Sequence, residues 1–100
     1  MNIKIFKSDK PLKKFYVLFP DGKKVYFGQA GYSDYTKHKD DDRKDRYIAR
    51  HSKMGEDWNK SGIETAGFLS RWFLWNKKTL RESARDIEKL FNVKVTLSLS

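Results

Sequence analysis

From Asn2 to Phe6 the apolar residues Ile3 and Ile5 alternate with polar neighbours, the period of a short strand with one buried face. Phe15-Tyr16-Val17-Leu18-Phe19 is a β-branched and aromatic run of strand length, interrupted by Pro20-Asp21-Gly22 and resumed in Lys23-Lys24-Val25-Tyr26-Phe27-Gly28. Two such runs joined through Asp-Gly predict an antiparallel hairpin, in which Gly22 supplies the positive φ that the turn requires. Gly28 to Lys39 shows no apolar period and reads as an ordered loop carrying Tyr32, Tyr35 and His38.

Asp40-Asp41-Asp42 offers an N-cap and acids for a first helical turn, where the helix dipole favours negative charge. A helix is therefore predicted from there to about Lys53 or Met54, before Gly55. On a helical wheel Arg43, Arg46, Arg50 and Lys53 fall in one stripe, with Tyr47, Ile48 and His51 in the neighbouring sector that meets the core. Ser61 with Glu64 and Thr79 with Glu82 each match a capping box, which predicts helix starts near Gly62 to Thr65 and at Leu80. Leu80, Ala84, Ile87, Leu90 and Phe91 recur at helical spacing as far as Asn92; Val93, Val95, Leu97 and Leu99 then alternate as a final strand. Phe68 to Trp75 is apolar nearly all round and is expected to be sandwiched between other elements. These elements add up to an α+β fold: a small, mainly antiparallel sheet that the C-terminal strand joins, with two or three helices packed on one face.

Composition bounds what such a fold can do. One hundred residues make a single domain, 1–100, with room for one modest core and none for a second catalytic unit. The chain has 22 Lys and Arg against 13 Asp and Glu, a formal charge of +9, which favours nucleic acid, an anionic surface or an acidic protein as partner. The absence of cysteine excludes disulfides, a thiolate nucleophile and cysteine-bound zinc. The N-terminal residues lack the apolar core of a secretory signal, and no run approaches the roughly 20 apolar residues of a membrane span. The expected product is soluble and intracellular.

The charge is unevenly distributed. Residues 1–39 carry nine lysines against three aspartates, whereas 40–57 carry five bases against six acids, so the middle segment contributes pattern rather than net field. That middle is nevertheless where candidate chemistry concentrates. Gly31 to Asn76 holds both histidines and all three tryptophans, with Lys37, His38, Lys39, Arg43, Arg46, Arg50 and Lys53 in close succession. Cations beside flat rings suit a phosphate backbone with bases, because ammonium and guanidinium groups neutralise phosphates while ring faces accept stacking. The competing readings are a solvated helix face with Asp42 and Arg46 paired at i,i+4, and a packed, hydrogen-bonded His51. Asp40-Asp41-Asp42 has donors for a magnesium ion but reads as caps, and two histidines without cysteine make a poor zinc set. Phe68, Trp72, Phe73 and Trp75 are expected in the core and its rim, and Trp58, in the polar loop Glu56-Asp57-Trp58-Asn59-Lys60, to be the most exposed tryptophan. No nucleophile, base and orienting acid stand at recognisable spacing, no phosphate-cradling glycine motif is present, and no cofactor is called for.

Phe27-Gly28, Tyr35-Thr36-Lys37-His38-Lys39-Asp40, Arg46-Tyr47-Ile48-Ala49-Arg50-His51 and Ser61-Gly62 followed by Thr65-Ala66-Gly67-Phe68 and Ser70-Arg71-Trp72 resemble short basic proteins of unknown function from large double-stranded DNA viruses of algae and amoebae. The resemblance covers roughly Lys14 to Leu80 and implies a viral setting: an infected host cell, with packaging in the virion. Phe15-Tyr16-Val17 and Val25-Tyr26-Phe27-Gly28 also look like the paired tyrosine strands of the GIY-YIG nucleases. That likeness would give Tyr16 and Tyr26 a role in activating water, one of Arg43, Arg46 or Arg50 a role on the phosphate, and Glu64 or Glu82 a role as metal ligand. The leading expectation is a non-enzymatic basic viral protein that binds nucleic acid through phosphate contacts from Lys37 to Lys53. The alternatives are a minor capsid or cement protein gripping acidic viral protein surfaces, and a metal-dependent nuclease.

Overall fold

The computed structural model describes residues 1–99 and has an α+β architecture. Strands β1 (Asn2–Lys7), β2 (Lys13–Leu18), β3 (Lys24–Gln29) and β4 (Lys94–Ser98) form one sheet in the order β3-β2-β1-β4. The two N-terminal pairings are antiparallel, and β4 lies parallel to β1 with Ile3 opposite Val95 and Ile5 opposite Leu97. The predicted hairpin forms at Pro20-Asp21-Gly22, where Gly22 has φ +89° and its N–H donates to the Phe19 carbonyl at 2.9 Å.

Among the described residues, four α-helices complete the fold. Two are single turns, α1 (Tyr35–His38) and α3 (Ala66–Leu69), and two are longer, α2 (Asp41–His51) and α4 (Leu80–Phe91). Thr79 and Glu82 do cap α4: the Glu82 N–H donates to Thr79 Oγ1 at 3.1 Å, and the Thr79 hydroxyl, rather than its N–H, donates to Glu82 Oε1 at 2.9 Å. The Ser61/Glu64 box is not formed. Ser61 sits in a short 3-10 turn (Lys60–Gly62) and donates to Asp57, Glu64 pairs with Lys23 at 3.1 Å, and Thr65 caps α3 instead. The loop read between Gly28 and Lys39 contains α1, whose cap is Asp34.

Alternation sends Ile3, Ile5, Val17, Phe27 and Val95 to the helix-bearing face, where they meet Phe68, Leu69, Phe73, Ala84 and Ile87. Directly after α3 the chain widens into a π-helical segment, Ser70–Leu74, closed by the Trp75 N–H on the Ser70 carbonyl at 3.1 Å. Four buried residues, Phe68, Leu69, Phe73 and Leu74, explain the widening. A strict α-helix would spread them over roughly two thirds of its circumference, while i→i+5 bonding gathers them towards the sheet. Among the described residues, no helix is long and apolar enough to cross a membrane.

Candidate nucleic-acid interface

The helical pair α1–α2 carries the cations singled out in the sequence. Asp34 caps α1 by accepting from the Thr36 N–H at 2.9 Å, and Lys39 closes it in the left-handed conformation (φ 56°) with its N–H on the Tyr35 carbonyl. Asp40 then accepts from the N–H groups of Asp42 (3.0 Å) and Arg43 (3.3 Å), starting α2 where the three-aspartate run predicts it. The pair is fastened by rings. Tyr47 is buried and lies flat on Trp75, with ring centroids 4.2 Å apart and planes 3° from parallel, while its other neighbour His51 stacks at 4.1 Å. His51 Nδ1 sits 3.0 Å from Glu56 Oε2, and Trp58 Nε1 donates to the other oxygen of that carboxylate at 2.9 Å. His51 is thus the packed, hydrogen-bonded ring that the wheel suggests.

With Tyr47 packed on Trp75 and His51 on Tyr47, the neighbouring flank of α2 faces solvent. Lys37, Lys39, Arg43, Arg46, Arg50 and Lys53 are all exposed, and none forms an ion pair among the described residues. The Asp42–Arg46 pair is therefore absent. The acids that cancel these cations in a residue count are mostly engaged elsewhere: Asp34 with Lys14, Asp40 at its cap, Asp41 with the Tyr35 hydroxyl, Glu56 with His51 and Trp58, and Asp57 with Ser61. The bond to Asp41 pushes the Tyr35 hydroxyl up to about 12.

His38 does not share the exposure of its neighbours. Its ring lies 5.2 Å from that of Trp75, Nδ1 accepts the Asp40 N–H at 3.0 Å, and Nε2 is buried without a partner among the described residues. Burial, and after it the Arg43 charge, hold the imidazole below the ordinary histidine value of 6.5. The unfolded chain then takes up the proton first, so the stability that depends on a neutral His38 is complete above about 6.5 and declines as pH falls below it. Urea midpoints at pH 7.5 and 5.5 should therefore differ less in His38→Asn than in the parent chain. An imidazole shown by NMR to titrate above 6.5 would contradict this.

The sequence gives no sign of two features beside the cations. Lys14 reaches from β2 to Asp34, Nζ to Oδ2 at 2.6 Å, in an ion pair almost withdrawn from solvent. The pair borders a cavity of about 330 Å³ that Tyr47, Arg50, His51, Ser70 and Trp75 also line. Trp58, like Trp72 and Trp75, is half-buried; its carbonyl accepts from Trp72 Nε1 at 3.0 Å and the Arg71 guanidinium lies over its ring. Arg71, whose other ring contact is Trp72 at 4.3 Å, has Nη1 on the Trp75 carbonyl at 2.8 Å.

The groups that the nuclease likeness would bring together are distributed over the molecule. Tyr16 and Tyr26 are cross-strand neighbours on the sheet face opposite the core, and the Tyr26 hydroxyl donates to Asp9 at 2.7 Å. Glu64 pairs with Lys23 next to the hairpin turn, and Glu82 closes the cap of α4.

No curated protein and no solved structure matches the chain significantly. Residues 3–51, which run from β1 to the end of α2 and so include both the hairpin and the cationic helices, are similar to a family of unknown function, DUF5754.

Proposed function

We propose that this protein binds nucleic acid without catalysing a reaction on it, gripping phosphates with Lys37, Lys39, Arg43, Arg46, Arg50 and Lys53. The supporting observation is the set of six exposed cations left without acidic partners while the neighbouring carboxylates are occupied in caps and internal bonds. The resemblance to proteins of large DNA viruses makes the viral genome the natural ligand and the virion the natural place. Flexible cations on a helix flank neutralise phosphates whatever the bases, so binding should be salt-sensitive and show little sequence preference.

Changing Arg43, Arg46 and Arg50 together to Gln removes three phosphate partners and leaves Tyr47 and His51 to hold α2 on Trp75. In anisotropy titrations of labelled duplex DNA at several salt concentrations, the slope of log affinity against log salt should shrink by about 2–3. A well-folded triple variant with an unchanged slope would refute the reading. So would a parent protein that ignores DNA yet is retained by particles stripped of their genome, which is the behaviour of a capsid or cement protein.

A further inference from the structure

The sheet face turned away from the helices carries three rings in register. Phe6 is opposite Tyr16, and Tyr16 is opposite Tyr26, with ring centroids 5.1 Å apart at each step. The next row across the same face reads Thr96, Lys4, Leu18, Lys24 in register, and one pair further along stand Asn2 and Lys94. A line of rings therefore runs alongside a row that carries two lysines, Lys4 and Lys24, both crossing the strands. The two lines touch: the Lys24 ammonium lies 5.1 Å from the Tyr16 ring centre, and Lys10, from the β1–β2 turn, caps Tyr26 at 4.1 Å. Asp9 at this surface accepts from the Tyr26 hydroxyl. Lys4, Lys10, Lys24 and Lys94 form no ion pair among the described residues. All three rings are only half-buried.

We infer that this face is a second, separate binding surface, for single-stranded nucleic acid. A single strand presents unpaired base faces and a phosphate line along one edge, which is the spacing of functions that an aromatic row beside a lysine row accepts. The stack is open at its β4 end, where Phe6 faces Ser98 in register and Tyr16 is the one ring stacked on it among the described residues. A base extends the stack there. At the other end a base displaces Lys10 from Tyr26, and the released ammonium meets a phosphate. An open groove of about 530 Å³, lined by Met1, Asn2, Lys4, Leu18, Phe19 and Pro20, prolongs the surface beyond the lysine row. The surface owes nothing to α2, so it stands or falls independently of the helical phosphate contacts.

The test uses the full chain with labelled oligothymidylate of 12 nucleotides, the same length of base-free deoxyribose phosphate, a duplex, and poly-glutamate as competitor. Tyr26→Thr keeps a β-branched residue on the edge strand while removing the ring, and should lower affinity for oligothymidylate about tenfold with duplex binding unchanged. Lys4→Gln with Lys24→Gln should reduce the single-strand salt slope by about 1.4. These exposed lysines test the proposal even if the tyrosine variant fails to fold. The Arg43, Arg46, Arg50 triple variant should retain its single-strand binding in large part, so failure of the helix reading leaves this one intact. The inference is overturned if the base-free strand binds as tightly as oligothymidylate, if poly-glutamate displaces it at equal charge concentration, or if both sheet variants leave single-strand affinity unchanged.

Discussion

Lys14→Ala should destabilise the protein by about 3–5 kcal/mol, far more than the loss of a surface lysine. The side chains of Lys14 and Asp34 are 10% and 2% exposed, so removing the ammonium strands a carboxylate that water reaches poorly. The carboxylate cannot simply turn away, because it also caps α1 through the Thr36 N–H and accepts from the Thr36 hydroxyl. Lys14→Met combined with Asp34→Asn keeps an acceptor for the cap and removes both charges, so the double variant should recover at least half of the loss. Urea unfolding of the parent, Lys14→Met, Asp34→Asn and the double variant forms a complete cycle. A Lys14→Ala protein within 1 kcal/mol of the parent, by the order of magnitude of an exposed pair, would show that the pair is solvated in solution. Loosening α1 should also disturb the adjoining α2, which links this position on β2 to the cationic flank.

Phe73→Ala is expected to cost a similar 3–5 kcal/mol, for a different reason. Phe73 is 0% exposed, belongs to the π-helical segment, and its ring lies 5.7 Å from that of Phe27 on β3. Its removal leaves a cavity between sheet and helix layer that neighbours can fill only by rewinding the π turn. Of a total stability of about 5–15 kcal/mol for a domain of this size, such a loss is enough to populate unfolded chain. Leu12→Ala is the matched control: Leu12 is 75% exposed in the β1–β2 turn, and its truncation should stay within about 0.5 kcal/mol. Equal effects of the two substitutions would mean that the core does not lie where the buried residues indicate.

Much of this architecture can be read directly from short-range pattern. Gly22 between two β-branched runs announces the hairpin, Asp40 announces the start of α2, and Thr79 with Glu82 announces α4, because each signal acts over one to four residues. The stripe of Arg43, Arg46, Arg50 and Lys53 is legible for the same reason, since helical spacing alone fixes which side chains share a flank. Ser61 and Glu64 have the same spacing as the genuine box but fail, because both side chains find partners outside the motif: Asp57 and, far along the chain, Lys23. Local wording cannot rank a cap against a distant competitor.

The sequence by itself determined the strands, the two longer helices, their caps and the cationic flank, all of them products of backbone preference and side-chain period. The tertiary structure decided the rest. Alternation makes β4 a strand but cannot name β1 as its parallel neighbour, a choice made by packing across the α4 crossover. The apolar run at Phe68 to Trp75 becomes π-helical because four large residues must reach one sheet face, a demand no α period satisfies. Lys14 and Asp34 meet across twenty residues, and Phe6, Tyr16 and Tyr26 line up through strand register. The balance of charge over 40–57 hides the cationic flank in any residue count. Folding draws Asp40, Asp41, Glu56 and Asp57 into caps and internal bonds, and among the described residues the arginines and lysines of that flank form no ion pair.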